Sequence, residues 1–206
     1  QTKKLKELQE TPNSNEALET LPFLKLEDLD KKSNTVPVEE LQLQGATTLY
    51  HNLFTNGIVY LDLGFDLHTL PADLLPLTEI FGRALFEMGT DTEDYTKLSQ
   101  RIGKSTGGIY ADAVSVTALG SRESVIKLFI KGKSTVAQSA EMLSIIKDVL
   151  LKTNFNNRKR LKQMVLEEKA GLESGLVPGG HSFVNTRLRA QFNESGRSWA
   201  LAVSAM

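Results

Sequence analysis

The chain has 206 residues, 40% of them hydrophobic and 24% charged, with a formal net charge of −1. That length supports one sizeable core, and the near-zero charge excludes a global basic field aimed at nucleic acid or an anionic membrane. The absence of cysteine excludes disulfides, thiolate zinc sites and a cysteine nucleophile, and no apolar run is long enough to cross a bilayer.

Gln1 to Glu10 sets Leu5 and Leu8 among Lys and Glu, the pattern of an exposed helix end. "TPNSNEALETLP" then reads as a linker, and "FLKLEDLDKKSNTVP" as a helical turn closed by proline. Both chain ends read as cuts through a longer polypeptide. A boundary is expected near Pro37, between a helical linker segment over 1–36 and a domain over 37–206.

From Val38 the hydrophobic period is two. "VEELQLQ" and "TTLYHNLF" are the first two strand candidates. Asn56-Gly57 predicts a hairpin turn to the third, because that pair accepts the positive φ of tight turns. In "IVYLDLGFDL", Val59, Leu61, Leu63, Phe65 and Leu67 share the face predicted to be buried.

Pro71 and Pro76 suit first-turn helix positions. Leu77, Ile80, Phe81, Ala84, Leu85 and Met88 then form an apolar stripe at helical spacing, with Gly89 as its C-cap. Asp91 or Thr92 is expected to cap the next helix, with Tyr95, Leu98 and Ile102 inward and its end at Gly103. "GGIYADAVSVTAL" and "ESVIKLFIKG" return to period two, joined by a turn at "GSRES". Ile126, Leu128 and Ile130 face inward on the second. Ser134 or Thr135 is expected to cap a helix over Val136, Ala140, Leu143, Ile146 and Leu150. "NNRKRLKQMVLEEKAGLES" aligns Leu161, Met164, Val165 and Leu172 on another helix. "GLVPGG" breaks it, and "HSFVNTRLRAQFN" is the last helix candidate. Hairpin-linked strands around a helical block predict an α+β fold, a mostly antiparallel sheet with helices packed on one face.

Gly103-Lys104-Ser105 matches the end of a phosphate-binding loop. That loop needs a first glycine where Leu98 stands, and a strand before and helix after it. Here the order is helix, then strand, so no nucleotide site is expected. His51, His68 and His181 read as hydrogen-bonded or structural, His181 as a helix-cap residue. Ser105 and Ser182 lack His-Asp support as nucleophiles. Arg158, Lys159, Arg160 and Lys162 read as a solvated basic helix face balanced by Glu167, Glu168 and Glu173. Glu87, Asp91, Glu93 and Asp94 form the densest acidic group.

Several segments together resemble the pitrilysin/insulinase family of zinc metallopeptidases, within it the presequence-protease subgroup, organellar enzymes that degrade cleaved targeting peptides. They are "LFTNGIVYLDLGFDL", "LLPLTEIFGRALFEMGT", "YTKLSQRIGKSTGGI", "IKGKS" and "NRKRLKQMVLEEKAGLESGL" followed by "GGHSF". The resemblance implies a polypeptide of two related halves with a metallopeptidase-like α/β roll. Only the first half carries zinc, on an inverted H-x-x-E-H helix with a further Glu downstream. Aligned on Gly89-Thr90, those three positions are Ile80, Arg83 and Ala84, none of which can ligate zinc or act as a general base. The implied role is the inactive domain opening the second half, truncated at its C-terminus and preceded by the inter-half linker. No cofactor is expected in this chain, and zinc is expected in the catalytic half. The implied partners are that catalytic half and peptide substrates, with no nucleic acid and no membrane span. The compartment implied is the mitochondrial matrix or chloroplast stroma in a eukaryote, the cytoplasm in a bacterium. Basic targeting peptides would suit an acidic surface. The family's second-half Arg and Tyr substrate clamps are expected beyond Met206. The alternative is a structural subunit of the same superfamily without protease activity.

Overall fold

The computed structural model describes residues 2–29, 31–32, 35–117, 120 and 123–192. The chain divides into two compact units, Gln1–Leu53 and Phe54–Met206, so the boundary expected near Pro37 lies within the first.

In the first unit, α1 (Thr2–Glu10) and α2 (Asn15–Glu19) bury no residue. Ser14 caps α2 by accepting the Ala17 amide at 3.2 Å. Strands β1 (Glu39–Leu43) and β2 (Ala46–Tyr50) pair antiparallel. Gln44 and Gly45, at φ 52° and 82°, make the turn between them. Positive φ at both central positions matches the right-handed strand twist. The second strand therefore stops short of "HNLF".

The second unit begins with the Asn56-Gly57 turn, whose two residues do take positive φ. That turn does not close a hairpin, because β3 (Ile58–Asp66) pairs with β5 instead of β2. The sheet has strand order β3-β5-β4, with β4 spanning Ile109–Thr117 and β5 spanning Ser124–Thr135. Both pairings are antiparallel. The expected β4–β5 turn falls partly on Ser121 and Arg122, outside the described residues.

The unit is α+β, with α3 (Thr78–Glu87), α4 (Tyr95–Ser105) and α5 (Ser139–Lys152) packed on one sheet face. Ile130, at the centre of β5, and Leu98, Ile145 and Val149 on the helices are fully buried. Val59, Leu61 and Leu63 pack against them from β3. Each such side chain contributes roughly 1.5–3 kcal/mol through apolar surface removed from water. Close packing sets the helix positions. A Cβ on Gly82 would sit 2.7 Å from the Ala111 Cβ, so only glycine lets α3 lie this near β4.

Several helix faces differ from the periodic reading. Leu77, just before α3, and Phe81 on it are exposed, and Phe81 stacks on Phe155 with 5.8 Å between ring centroids. Asp94, not Asp91 or Thr92, caps α4 by accepting the Lys97 amide at 2.9 Å. That helix continues two residues past Gly103, and Tyr95 is exposed. Strand β5 runs on through Ser134 and Thr135, neither of which caps α5. The buried stripe of α5 is Met142, Ile145, Ile146 and Val149, while Leu143 and Leu150 face out. The sequence holds two overlapping apolar stripes there, and the angle at which α5 meets the sheet selects one. Helix α6 (Arg158–Leu176) turns Met164 inward and leaves Val165 exposed. Gly179 precedes α7 (Gly180–Arg189), which puts His181 inside the first turn and not at the cap.

Candidate functional site

Ile80, Arg83 and Ala84, the positions expected from the resemblance to align with a zinc helix, lie on α3, on the side that meets α6. Ala84 is buried with Met88 and Met164, and Ile80 and Leu161 pack around them. Met164 has no exposed surface. Two thioethers and aliphatic carbons fill this cluster, and none of these atoms is a zinc ligand of the usual kind.

Arg83 extends from the same face. Its Nε donates to Glu87 Oε1 at 2.7 Å and its Nη2 to Glu87 Oε2 at 3.1 Å. Nη2 also donates to Glu167 Oε2, while Nη1 donates to the Met164 carbonyl at 3.4 Å and lies 3.7 Å from Glu168 Oε2. The hydrogen bonds it donates to Glu87 and Glu167 hold its pKa above an already high ordinary value. The same Arg83 bond draws the Glu167 carboxyl below the usual range. A permanently protonated guanidinium cannot accept a proton from water, so Arg83 cannot stand in for a general base.

Arg160 completes this network from α6. It donates to the Glu87 carboxylate and, at 3.3 Å, to the Glu87 carbonyl, and its guanidinium lies 4.9 Å from the Tyr95 ring centroid. The expected basic face is thus split. Arg158, Lys159 and Lys162 are exposed, and Arg160 is drawn into the helix junction. Glu173 pairs with Lys169, 3.7 Å away, and not with the basic run.

The acidic group is split in the same way. Glu87 belongs to the Arg83–Arg160 network, Asp94 caps α4, and Glu93 accepts from Arg101 at 2.8 Å. Arg101 is a second hub, bonded also to Glu141 at 2.7 Å, Asp148 at 3.0 Å and Ser144 Oγ at 3.1 Å. The sequence carries no local signal for it, because three of these partners are 40 to 47 residues away.

The remaining candidates stay apart. Gly103, Lys104 and Ser105 form the last turn of α4, where their amides belong to the helix and do not converge on an anion. His51 Nδ1 lies 2.8 Å from the Pro37 carbonyl. His68 Nδ1 lies 2.8 Å from Asp66 Oδ1, and that bond lowers the Asp66 pKa. His181 Nε2 is 3.2 Å from Ser182 Oγ. Among the described residues, no group of three or more His, Cys, Asp or Glu side chains could hold a metal ion. No described helix is long and apolar enough to cross a membrane.

The sheet face opposite the helices carries a mixed surface. Tyr60, Asp62 and Asp66 stand on β3, Lys127, Phe129, Lys131 and Lys133 on β5, and Tyr110 and Asp112 on β4. Lys131 bonds Asp112 at 2.6 Å, and its ammonium lies 5.6 Å from the Phe129 ring centroid. Phe129 lies across Gly64, where a Cβ would come within 2.8 Å of the ring. Three aromatic rings, three carboxylates and three amines offer stacking, hydrogen-bonding and ionic contacts to an elongated ligand without a net charge of either sign.

A family model described as "Peptidase M16-C associated" matches residues 1–199. The chain belongs to this peptidase-associated family. As a member of it, the chain is 35% identical over 195 residues to presequence protease 1, chloroplastic/mitochondrial, of Arabidopsis thaliana, covering 95% of the chain and 18% of that protein. It is 36% identical over 180 residues to protein HypA of Clostridium perfringens, covering 87% and 18%. The mitochondrial presequence protease of Saccharomyces cerevisiae is 26% identical over 191 residues, covering 92% and 19%. The peptidase-associated chain thus spans less than a fifth of the length of these relatives, which include larger protease polypeptides.

Proposed function

We propose that this chain is a non-catalytic domain of a zinc metalloendopeptidase that degrades targeting peptides and other short unfolded peptides, and that it forms part of the wall of an enclosed peptide chamber. The observation that carries this reading is the fate of the zinc-helix positions. Ala84 is buried in an apolar cluster with Ile80 packed against it, and Arg83 is a paired cation. Zinc, the Lewis acid of the reaction, and the residues that hold it belong to another part of the polypeptide. The open sheet face, with Tyr60, Tyr110 and Phe129, is the peptide-facing surface. The compartment in this reading is mitochondrial or chloroplastic in a eukaryote, which the names of the presequence-protease relatives support, and cytoplasmic in a bacterium.

Elemental analysis of the purified chain is expected to find no stoichiometric zinc, and the chain alone is expected to leave unfolded peptides uncut. One tight zinc per chain, lost on replacing His51, His68 or His181, would overturn the reading. The chamber assignment has its own test in the full-length polypeptide. A photo-crosslinking side chain at Tyr110 should label a bound peptide, and one at Leu143, on the helix side, should not. Equal labelling at both positions would remove the sheet face from the chamber.

A further inference from the structure

Helix α6 has 19 residues, yet among the described residues its hydrogen bonds, ion pairs and core packing with α3 come from the stretch that ends at Glu168. Arg160 reaches Glu87, Leu161 and Met164 fill the α3 junction, and Glu167 and Glu168 meet Arg83. Beyond Glu168 the character changes. Among the described residues, the bonds seen from Lys169 to the start of α7 are internal: Lys169 to Glu173 at 3.7 Å, Ser174 Oγ to the Gly171 carbonyl at 2.9 Å, and the Gly179 amide to the Gly175 carbonyl at 2.8 Å. Helix α7 buries no residue.

Two glycines stand in this second half of α6. Gly171 and Gly175 have nothing within 4 Å of where a Cβ would be, so no close approach calls for glycine at either position. What glycine does bring is a weaker helix than alanine would give.

We infer that α6–α7 is a hinged arm. Residues 158–168 are its fixed end, clamped by the Arg83–Glu87–Arg160–Glu167 network, and the stretch around Gly171 and Gly175 is the hinge. The arm beyond it carries Leu176, the connecting turn and α7. Local opening of this kind is set by how few packed contacts hold a segment, and amide exchange reads it directly.

The test is hydrogen exchange on the full-length polypeptide, followed by mass spectrometry. Amides of 169–176 are expected to exchange at least about a hundredfold faster than those of 161–168, the difference between a segment held by tertiary contacts and one that is not. Gly171→Ala with Gly175→Ala, a pair that strengthens the helix and does not threaten folding, should slow exchange of 169–176 by roughly tenfold. Strand β5 should be unchanged. Glu167→Gln should speed exchange in 161–168 without affecting β5. Equal protection along the whole of α6, or an alanine pair that leaves exchange of 169–176 unaltered, would overturn the hinge.

Discussion

Replacing Gly89 with alanine is expected to cost about 3 kcal/mol, combining a left-handed backbone with an overpacked site. Gly89 has φ 83°, a conformation that L side chains rarely adopt. An added Cβ would lie 2.7 Å from the Glu93 carbonyl oxygen and 2.8 Å from the Tyr95 nitrogen. Both are backbone atoms and cannot swing aside. Gly89 also sits where three elements meet. Its carbonyl accepts the Asn154 amide at 3.0 Å, and the neighbouring Thr90 bridges Thr153 after α5. A displaced Gly89 therefore disturbs α3, α4 and α5 together. Thermal unfolding should show a drop of roughly 9 °C, using the ratio for domains of this size. Gly103→Ala is the matched control. Gly103 lies inside α4 with open space around it. Alanine there should stabilise by about 0.5–1 kcal/mol through helix propensity and unfolded-state entropy. Destabilisation by both substitutions to the same extent would refute this account of α4.

Arg101→Ala is expected to lose about 2 kcal/mol at pH 7, less than a fully buried pair would lose because the guanidinium keeps some contact with water. The reason is what remains behind. Glu93 and Asp148 are largely buried, and Glu141 completes a ring of three carboxylates with no guanidinium at its centre. The deficit should depend on pH with a definite sign. Bonds from Lys152 and Arg101 hold the Asp148 carboxyl below its ordinary pKa. A carboxyl whose pKa is lowered by folding stabilises fully above its unfolded value, about 3.9. That contribution disappears as pH falls through the lower folded value. Urea midpoints of the wild type and Arg101→Ala should therefore differ at pH 7 and converge below about pH 4, where the unpaired carboxylates take up protons. A gap that persists at low pH would assign the loss to packing of the Arg101 stem alone.

The α+β class, the period-two strands and the order of the helices were legible because each depends on spacing within one segment. Ile126, Leu128 and Ile130 alternate in β5 and are buried as alternation requires. Gly89 was legible as a helix end for the same local reason. Gly103 was not a helix end, because glycine both breaks helices and occurs inside them, and only the hydrogen bonds that follow it decide. Asn56-Gly57 gives a similar lesson. Its dihedral angles are those the dipeptide favours, yet the strand that pairs with β3 is not the one before the turn. It is β5, which follows α3, α4 and β4 in the chain, with Ile58 opposite Thr135 at one end and Asp66 opposite Lys127 at the other.

At the candidate site the division is the same. Sequence alone shows that Ile80 and Ala84 lack metal-binding atoms and that Arg83 is a cation, since these are properties of side-chain chemistry. It does not show that Arg83 and Arg160 share Glu87, or that Met164 fills the junction, because the contacting residues of α3 and α6 are 73 to 84 positions apart along the chain. The choice of which apolar stripe of α5 is buried, and the selection of Arg101 as a hub, also belong to tertiary structure. The physical reason is common to all of these. Propensity, period and ionisation are local and travel with the residue, whereas pairing and burial are set by which surfaces meet when distant segments compete for one core.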